Sequence, residues 1–179
     1  RLSQFGIHCN TTDVVQKIYA RFDHDECMVS LDSSGQPLYK RGYKQYVSEA
    51  PLRETIASAL LYESNINEYD TIIDPMCGSG TFPIEAWCML NGIPAGVNRT
   101  FSFINWPSFR KQLFRRVVQS DIVNKKNVSV IASDSNPEMV YITQQNSKRV
   151  GATLCAYTRD FLKEKIDIDG GRVLCTINP

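Results

Sequence analysis

The apolar positions Val14, Val15, Ile18, Tyr19 and Phe22 recur at helical spacing behind the capping candidates Thr11 to Asp13, and predict a helix over 11–22. Cys27 to Leu31 reads as a short strand, Asp32-Ser-Ser-Gly35 as a turn, and Leu38 to Tyr46 as a returning strand that runs into a loop. Residues 1–50 therefore read as an α+β appendage ending in a hairpin. From residue 51 the pattern changes. Pro51 suits the first turn of a helix, with Leu52, Ile56, Ala59 and Leu60 on one face. Compact apolar runs at 71–74, 128–132, 154–157 and 173–177 predict strands, and helices are expected at 81–90, 108–122 and 137–150. Residues 91–107 form an irregular stretch too long for an ordinary connection.

Alternating strands and helices over 51–179 predict an α/β fold with a doubly wound, mainly parallel sheet and helices on both faces. The sheet stops after its fourth strand. In such folds ligands sit beyond the carboxyl ends of the strands, and the polar residues Asp74, Asp134, Asp160 and Asn178 each fall at or just after a strand end. That coincidence is the main functional signal of the chain.

Composition narrows the partners. The net charge is +1, so a nucleic acid must be met by local basic patches. No apolar run approaches the roughly 18 residues of a membrane span. The six cysteines form no C-x-x-C pair and only His8 and His24 are present, so no metal is expected. Cys88, Cys155 and Cys175 lie in apolar runs and read as small buried hydrophobes. Reduced thiols fit a cytoplasmic setting.

The run Asp74-Pro75-Met76-Cys77-Gly78-Ser79-Gly80-Thr81 places two glycines at a helix N-terminus, where the backbone can approach a ligand closely. A dinucleotide loop would carry a third glycine where Pro83 stands, and an acid at the strand end repels a pyrophosphate. The same acid attracts an ammonium group, as in S-adenosylmethionine (SAM). A bare Gly-rich turn is the competing reading. Asp134, with Ser135 beside it, can accept both ribose hydroxyls, or can cap the next helix near Asn136-Pro137. Asp160 is placed to accept from an adenine amine, with Phe161 offering its apolar edge. Asn178-Pro179 can turn two acceptors toward an exocyclic amino group, or simply end a strand. Basic and aromatic residues interleave at Tyr39, Lys40, Arg41, Tyr43 and Lys44, a candidate RNA contact; Arg110, Lys111, Arg115 and Arg116 form a second basic run that suits a solvated helix face.

The order Asp-Pro-x-Cys-Gly-Ser-Gly-Thr, Ser-Asp-x-Asn, Asp-Phe, Asn-Pro resembles the class I SAM-dependent amino-methyltransferases. The lead-in Leu31 to Tyr43 with Ala50-Pro-Leu-Arg-Glu54, and the aromatic segment Phe101 to Phe109, are similar to the THUMP-associated RNA methyltransferases. Those include the group that methylates guanine N2 of large-subunit ribosomal RNA, also labelled N6-adenine-specific DNA methylases. The resemblance covers about residues 26–179. It implies a Rossmann-like fold and a SAM site at Asp74, Cys77, Gly78 and Gly80, with Asp134 on the ribose, Asp160 near adenine, and Asn178 and Pro179 on the target amine. It also implies a ribosomal RNA substrate and a chain that is not active alone, since the aromatic usually found after Asn-Pro and most of a THUMP-like region are not in the sequence. An adenine-N6 methyltransferase and a non-catalytic SAM-fold module that binds RNA or protein are the alternatives.

Overall fold

Four short strands lie side by side in a parallel sheet: β3 (Thr71–Asp74), β4 (Ser129–Asp134), β5 (Cys155–Thr158) and β6 (Val173–Cys175), in the order β5-β4-β3-β6. They belong to a computed structural model that describes residues 16–45, 51–120, 128–166, 168 and 170–178. The chain moves outward from β3 to β4 to β5 and then crosses back to place β6 on the other side of β3. The reversal beside β3 creates the switch point at which open α/β sheets bind ligands. This is a Rossmann-like class I α/β fold.

One face of the sheet carries Ile72, Val130 and Leu174, which are neighbours in register. Helices α1 (Glu54–Glu63) and α2 (Thr81–Leu90) meet that face, and Ala57, Leu61, Phe82, Ala86 and Leu90 complete the core. The expected apolar stripe of α1 is corrected here. Ala57 and Leu61 point inward, whereas Ile56, Ala59 and Leu60 face solvent, with Leu60 50% exposed. The buried Glu54 occupies the inward position of the first turn, so the helix is rotated relative to a stripe chosen on hydrophobicity alone. The other sheet face includes Cys155, Tyr157 and Cys175, all exposed. Cys155 and Cys175 are thus not buried, because nothing among the described residues covers the outer strands there; Cys88 is half-buried.

Helix α3 (Lys111–Ser120) begins later than the expected 108, and residues 121–127 lie outside the described residues. Helix α4 (Pro137–Arg149) starts at Asn136, whose side chain accepts from the Glu138 N–H at 2.9 Å, with Pro137 at N1. Lys148 and Arg149 sit in its last turn, and Gly151 at φ 70° follows.

The chain divides into two compact units, Arg1–Gln36 with Thr100–Lys111, and Pro37–Arg99 with Gln112–Pro179. The first holds an antiparallel hairpin, β1 (Ile18–Asp23) and β2 (Glu26–Leu31), in register Ile18 to Leu31. The helix predicted over 11–22 is therefore a strand from Ile18 onward; residues 11–15 lie outside the described residues. His24 and Asp25 take φ of 46° and 64°, as a two-residue turn matched to strand twist requires, and this local turn selects pairing over helix. The hairpin partner of β2 is thus β1 and not 38–46, which forms no strand in its described part. Asp32 makes the expected turn by accepting from Ser34 and Gly35 N–H groups at 2.9 and 3.2 Å. In the same unit the Trp106 indole donates to Gln16 at 2.7 Å, and Phe103 stacks on Phe101.

Leu61→Ala should lower stability by about 2–5 kcal/mol through a core cavity. Leu60→Ala should change it by less than about 0.5 kcal/mol. Urea unfolding of the two variants checks which face of α1 is inward.

Candidate functional site

At the carboxyl ends of β3 and β4 the chain opens a cleft of about 250 Å³, whose walls include Asp74, Cys77, Gly78, Asp134, Met139 and Asn178. Its floor is the turn between β3 and α2. Gly78 and Gly80 there have φ of 51° and 86°, values that side chains rarely adopt. A Cβ on Gly78 would meet no heavy atom within 4 Å, so the glycine leaves open space where a ligand can approach. Gly80 differs: a Cβ would come within 2.9 Å of Thr143.

Four bonds from neighbouring elements hold this turn. The Cys77 N–H donates to the Ser133 carbonyl at 2.9 Å and the Gly78 N–H to Asp134 Oδ2 at 2.9 Å. From α4, the Thr143 hydroxyl donates to the Gly78 carbonyl at 2.8 Å and the Asn146 amide to the Ser79 carbonyl at 3.0 Å. Thr143 and Asn146 were not singled out by sequence reasoning. The available signal was polar residues at i, i+3 on the helix face that also carries Val140, where a core would ordinarily be apolar.

Asp74 is buried and accepts from the Met76 N–H at 3.1 Å. Burial pushes its carboxyl up to about 7 against that bond, and the nearby Asp134 charge adds to the rise. Asp134 is half-buried and accepts from Gly78 and, at 2.9 Å, from the Asn136 N–H. The capping alternative thus resolves: Asn136 caps α4, and Asp134 remains on the cleft wall with lone pairs to spare. No lysine or arginine is among the described residues lining the cleft. Two carboxylates facing an open space without a cation favour a ligand that carries positive charge. Burial pushes the Cys77 thiol to about 12, with Thr143 opposing, so it is a packed thiol and not a nucleophile.

Of the residues singled out by sequence, Asp74, Cys77, Gly78, Thr81, Asp134 and Asn178 line one cleft. Pro75 and Gly80 are buried beneath it, and Ser135 is exposed beside it. Asp160 and Phe161 are not among its lining residues; Asp160 binds Lys163 at 2.8 Å and the Leu162 N–H, and the lysine holds its carboxyl below the usual range. Pro179 lies outside the described residues. The cleft also uses Pro51, Leu52, Phe82 and Met139, whose apolar side chains carried no sequence signal of a site.

Within the basic-aromatic run at 39–44, Arg41, Tyr43 and Lys44 turn inward, while Lys40 is exposed and Tyr39 half-buried. Tyr43 is 1% exposed and donates to Glu85 at 2.9 Å, which leaves no ring face for a base. Arg41 pairs with Glu85 and Lys44 with Glu54, both at 3.6 Å. Arg53 lies over the Tyr39 ring.

The family pattern of UPF0020, the RMKL-like methyltransferase domain, matches residues 41–172. The chain belongs to that family. It is 36% identical over 134 residues to the ribosomal RNA large subunit methyltransferase K/L of Psychromonas ingrahamii, covering 71% of this chain and 18% of that protein. It is also 36% identical over 131 residues to YpsC of Bacillus subtilis, named as an RNA methyltransferase, covering 71% of this chain and 34% of the relative. Among solved structures, SMU.472, described as a methyltransferase complexed with SAH, matches with TM-score 0.79 and 31% identity over 92% of this chain and 44% of that one. A Listeria monocytogenes protein titled an N6-adenine-specific DNA methylase matches with TM-score 0.80 and 27% identity over the same shares. The chain spans about a third or less of the length of these sequence relatives. No helix among the described residues is long and apolar enough to cross a membrane.

The Asp74 carboxyl gives a stability test. Its folded value of about 7 lies above its ordinary 3.8, so the folded state holds the proton between these values and loses stability as pH rises toward 7. Asp74→Asn removes that loss. The variant should match wild type near pH 4 and exceed it by about 1–3 kcal/mol at pH 8, read by urea unfolding.

Proposed function

We propose that the protein carrying this chain uses SAM to methylate an exocyclic amine of a nucleobase in RNA, guanine N2 of large-subunit ribosomal RNA above others. The observation that carries this reading is that Asn178 shares one cleft with Asp74, Gly78 and Asp134. A binding-only scaffold has no use for an amine-directed Asn beside a site shaped for a cationic cofactor. The RNA methyltransferase names of the relatives and the SAH in SMU.472 support the same conclusion.

The residues fit the cofactor. SAM supplies an electrophilic methyl group on a sulfonium. Asp74, with its raised carboxyl, is suited to the amino acid ammonium, and that cation favours the ionised form that burial disfavours. Free N–H groups at the start of α2 suit the carboxylate. Asp134 offers acceptors to the ribose hydroxyls. The Asn178 side-chain oxygen and backbone carbonyl accept both amine N–H bonds and direct the nitrogen lone pair outward. The amine loses its proton after the methyl is attached, so no strong base is required. Catalysis then rests on orientation, an effect of up to about 7–11 kcal/mol. The base must leave its stack to be reached.

Asp134→Ala should weaken SAH binding by tenfold or more in calorimetry. Asn178→Ala should leave that affinity within about threefold and lower turnover about 100-fold or more, because an amine held by Asn178 matters at the transfer step. Unchanged SAH affinity in Asp134→Ala removes the ribose assignment.

Ribosomal RNA from cells lacking the protein, incubated with whole protein and labelled SAM, should yield N2-methylguanosine on nucleoside analysis. N6-methyladenosine would replace guanine with adenine as the substrate, the alternative that the Listeria relative's title favours.

A further inference from the structure

Behind the cleft lies a second polar cluster that the chemistry does not use. The segment Arg41 to Gln45 crosses the starts of α1 and α2 and spends its polar groups inward. Arg41 and Tyr43 engage Glu85, and the Ser58 hydroxyl donates to the same carboxylate. The Gln45 N–H donates to Asn146 Oδ1 at 3.3 Å, on the side chain that holds Ser79. Lys44 and Glu54 are both buried, with side chains 7% and 6% exposed. Burial lowers the lysine's pKa and raises the glutamate's, so each charge is held against its desolvation.

A buried ion pair that merely glued α1 in place could be apolar at less cost. This one does something an apolar pair cannot. The Lys44 ammonium donates to the Leu52 carbonyl at 2.9 Å, and the Thr81 hydroxyl approaches the same oxygen at 3.5 Å. Leu52 and Pro51 are cleft walls. Lys44 and the first residue of α2 thus converge on one carbonyl of the cleft wall, in an irregular stretch ahead of α1.

We infer that Lys44 is a positioning residue for the cofactor: held in place by Glu54, it fixes Pro51 and Leu52 against the start of α2, at the end of the cleft that takes the amino acid part of the cofactor. The inference rests on the SAM reading of that cleft. It makes the wall matter for one part of the ligand only, since Asp134, on the ribose side, belongs to β4 and owes nothing to Lys44.

The test compares SAH with 5′-methylthioadenosine, which shares the nucleoside and sulfur but lacks the amino acid part, by calorimetry on the whole protein. Lys44→Met alone strands the Glu54 carboxylate and is destabilising. The double variant Lys44→Met/Glu54→Gln removes both charges and recovers stability, but not the bond to Leu52. It should bind SAH about tenfold more weakly while its methylthioadenosine affinity moves less than twofold. Leu52→Ala trims the wall without touching the ion pair and should show the same selective loss. A merely structural role would weaken both ligands alike or neither, and either result in both the double variant and Leu52→Ala overturns the inference. Wild type without SAH affinity overturns the SAM reading and this inference together; wild type that binds SAH with unselective variants overturns this inference alone.

Discussion

Everything at the site depends on a turn that must leave space open to a ligand while its backbone stays fixed. A Gly-rich loop satisfies the first condition and works against the second, because glycine loses the most conformational freedom on folding. The chain resolves the conflict by gripping the turn from outside: Thr143 and Asn146 bind the Gly78 and Ser79 carbonyls, and β4 takes the Cys77 and Gly78 N–H groups. The left-handed backbone at Gly78 and Gly80 persists because two separate elements, β4 and α4, over-determine it. A ligand then meets a turn already fixed, without ordering a loop on arrival.

Charge placement separates the two polar clusters of the sheet unit. The segment 41–45 and helices α1 and α2 bury two cations against two carboxylates, an arrangement whose charges balance without a ligand. The cleft has Asp74 and Asp134 and no basic lining residue among those described. Burial, with a smaller contribution from the Asp134 charge, raises the Asp74 carboxyl there. Like-charged or desolvated acids of this kind mark functional sites because stability alone would not retain them.

How far this was legible in the sequence follows from the range of each signal. The parallel strands and the acid at each strand end were readable, since a short apolar run closed by a polar residue is local information. Asp74, Gly78, Asp134 and Asn178 were placed in one cleft on that basis. The stripe of α1 was misread because Glu54 is buried by a partner, Lys44, ten positions earlier. The same non-local pairing hid the fate of Arg41 and Tyr43: a run that looks like an RNA contact is indistinguishable, in one dimension, from one whose charges find acids in two helices. At 18–22 helical periodicity lost to a two-residue turn whose strength lies in backbone dihedrals at His24 and Asp25, residues other than the usual Asn-Gly. The bonds from Thr143 and Asn146 span more than sixty positions and left only a faint polar imprint on α4.

The choice between guanine and adenine rests outside the amine-binding groups. In the proposed function the Asn178 side-chain oxygen and backbone carbonyl are the acceptors, and any exocyclic amine presents two N–H bonds to them in the same plane. Guanine N2 and adenine N6 differ in what flanks the amine: a ring N–H on one side of guanine N2, an unprotonated ring nitrogen beside adenine N6. A site that hydrogen-bonds such an edge can discriminate by 10⁴-fold or more, about 5 kcal/mol, because the wrong base leaves a buried partner unmet. That discriminating group must lie within reach of Asn178. The cleft residues described here supply acceptors at Asp74 and Asp134, already assigned to the cofactor. On the proposed reading, selectivity for the base belongs to the surface that receives the flipped nucleotide, and methyl transfer to the cleft.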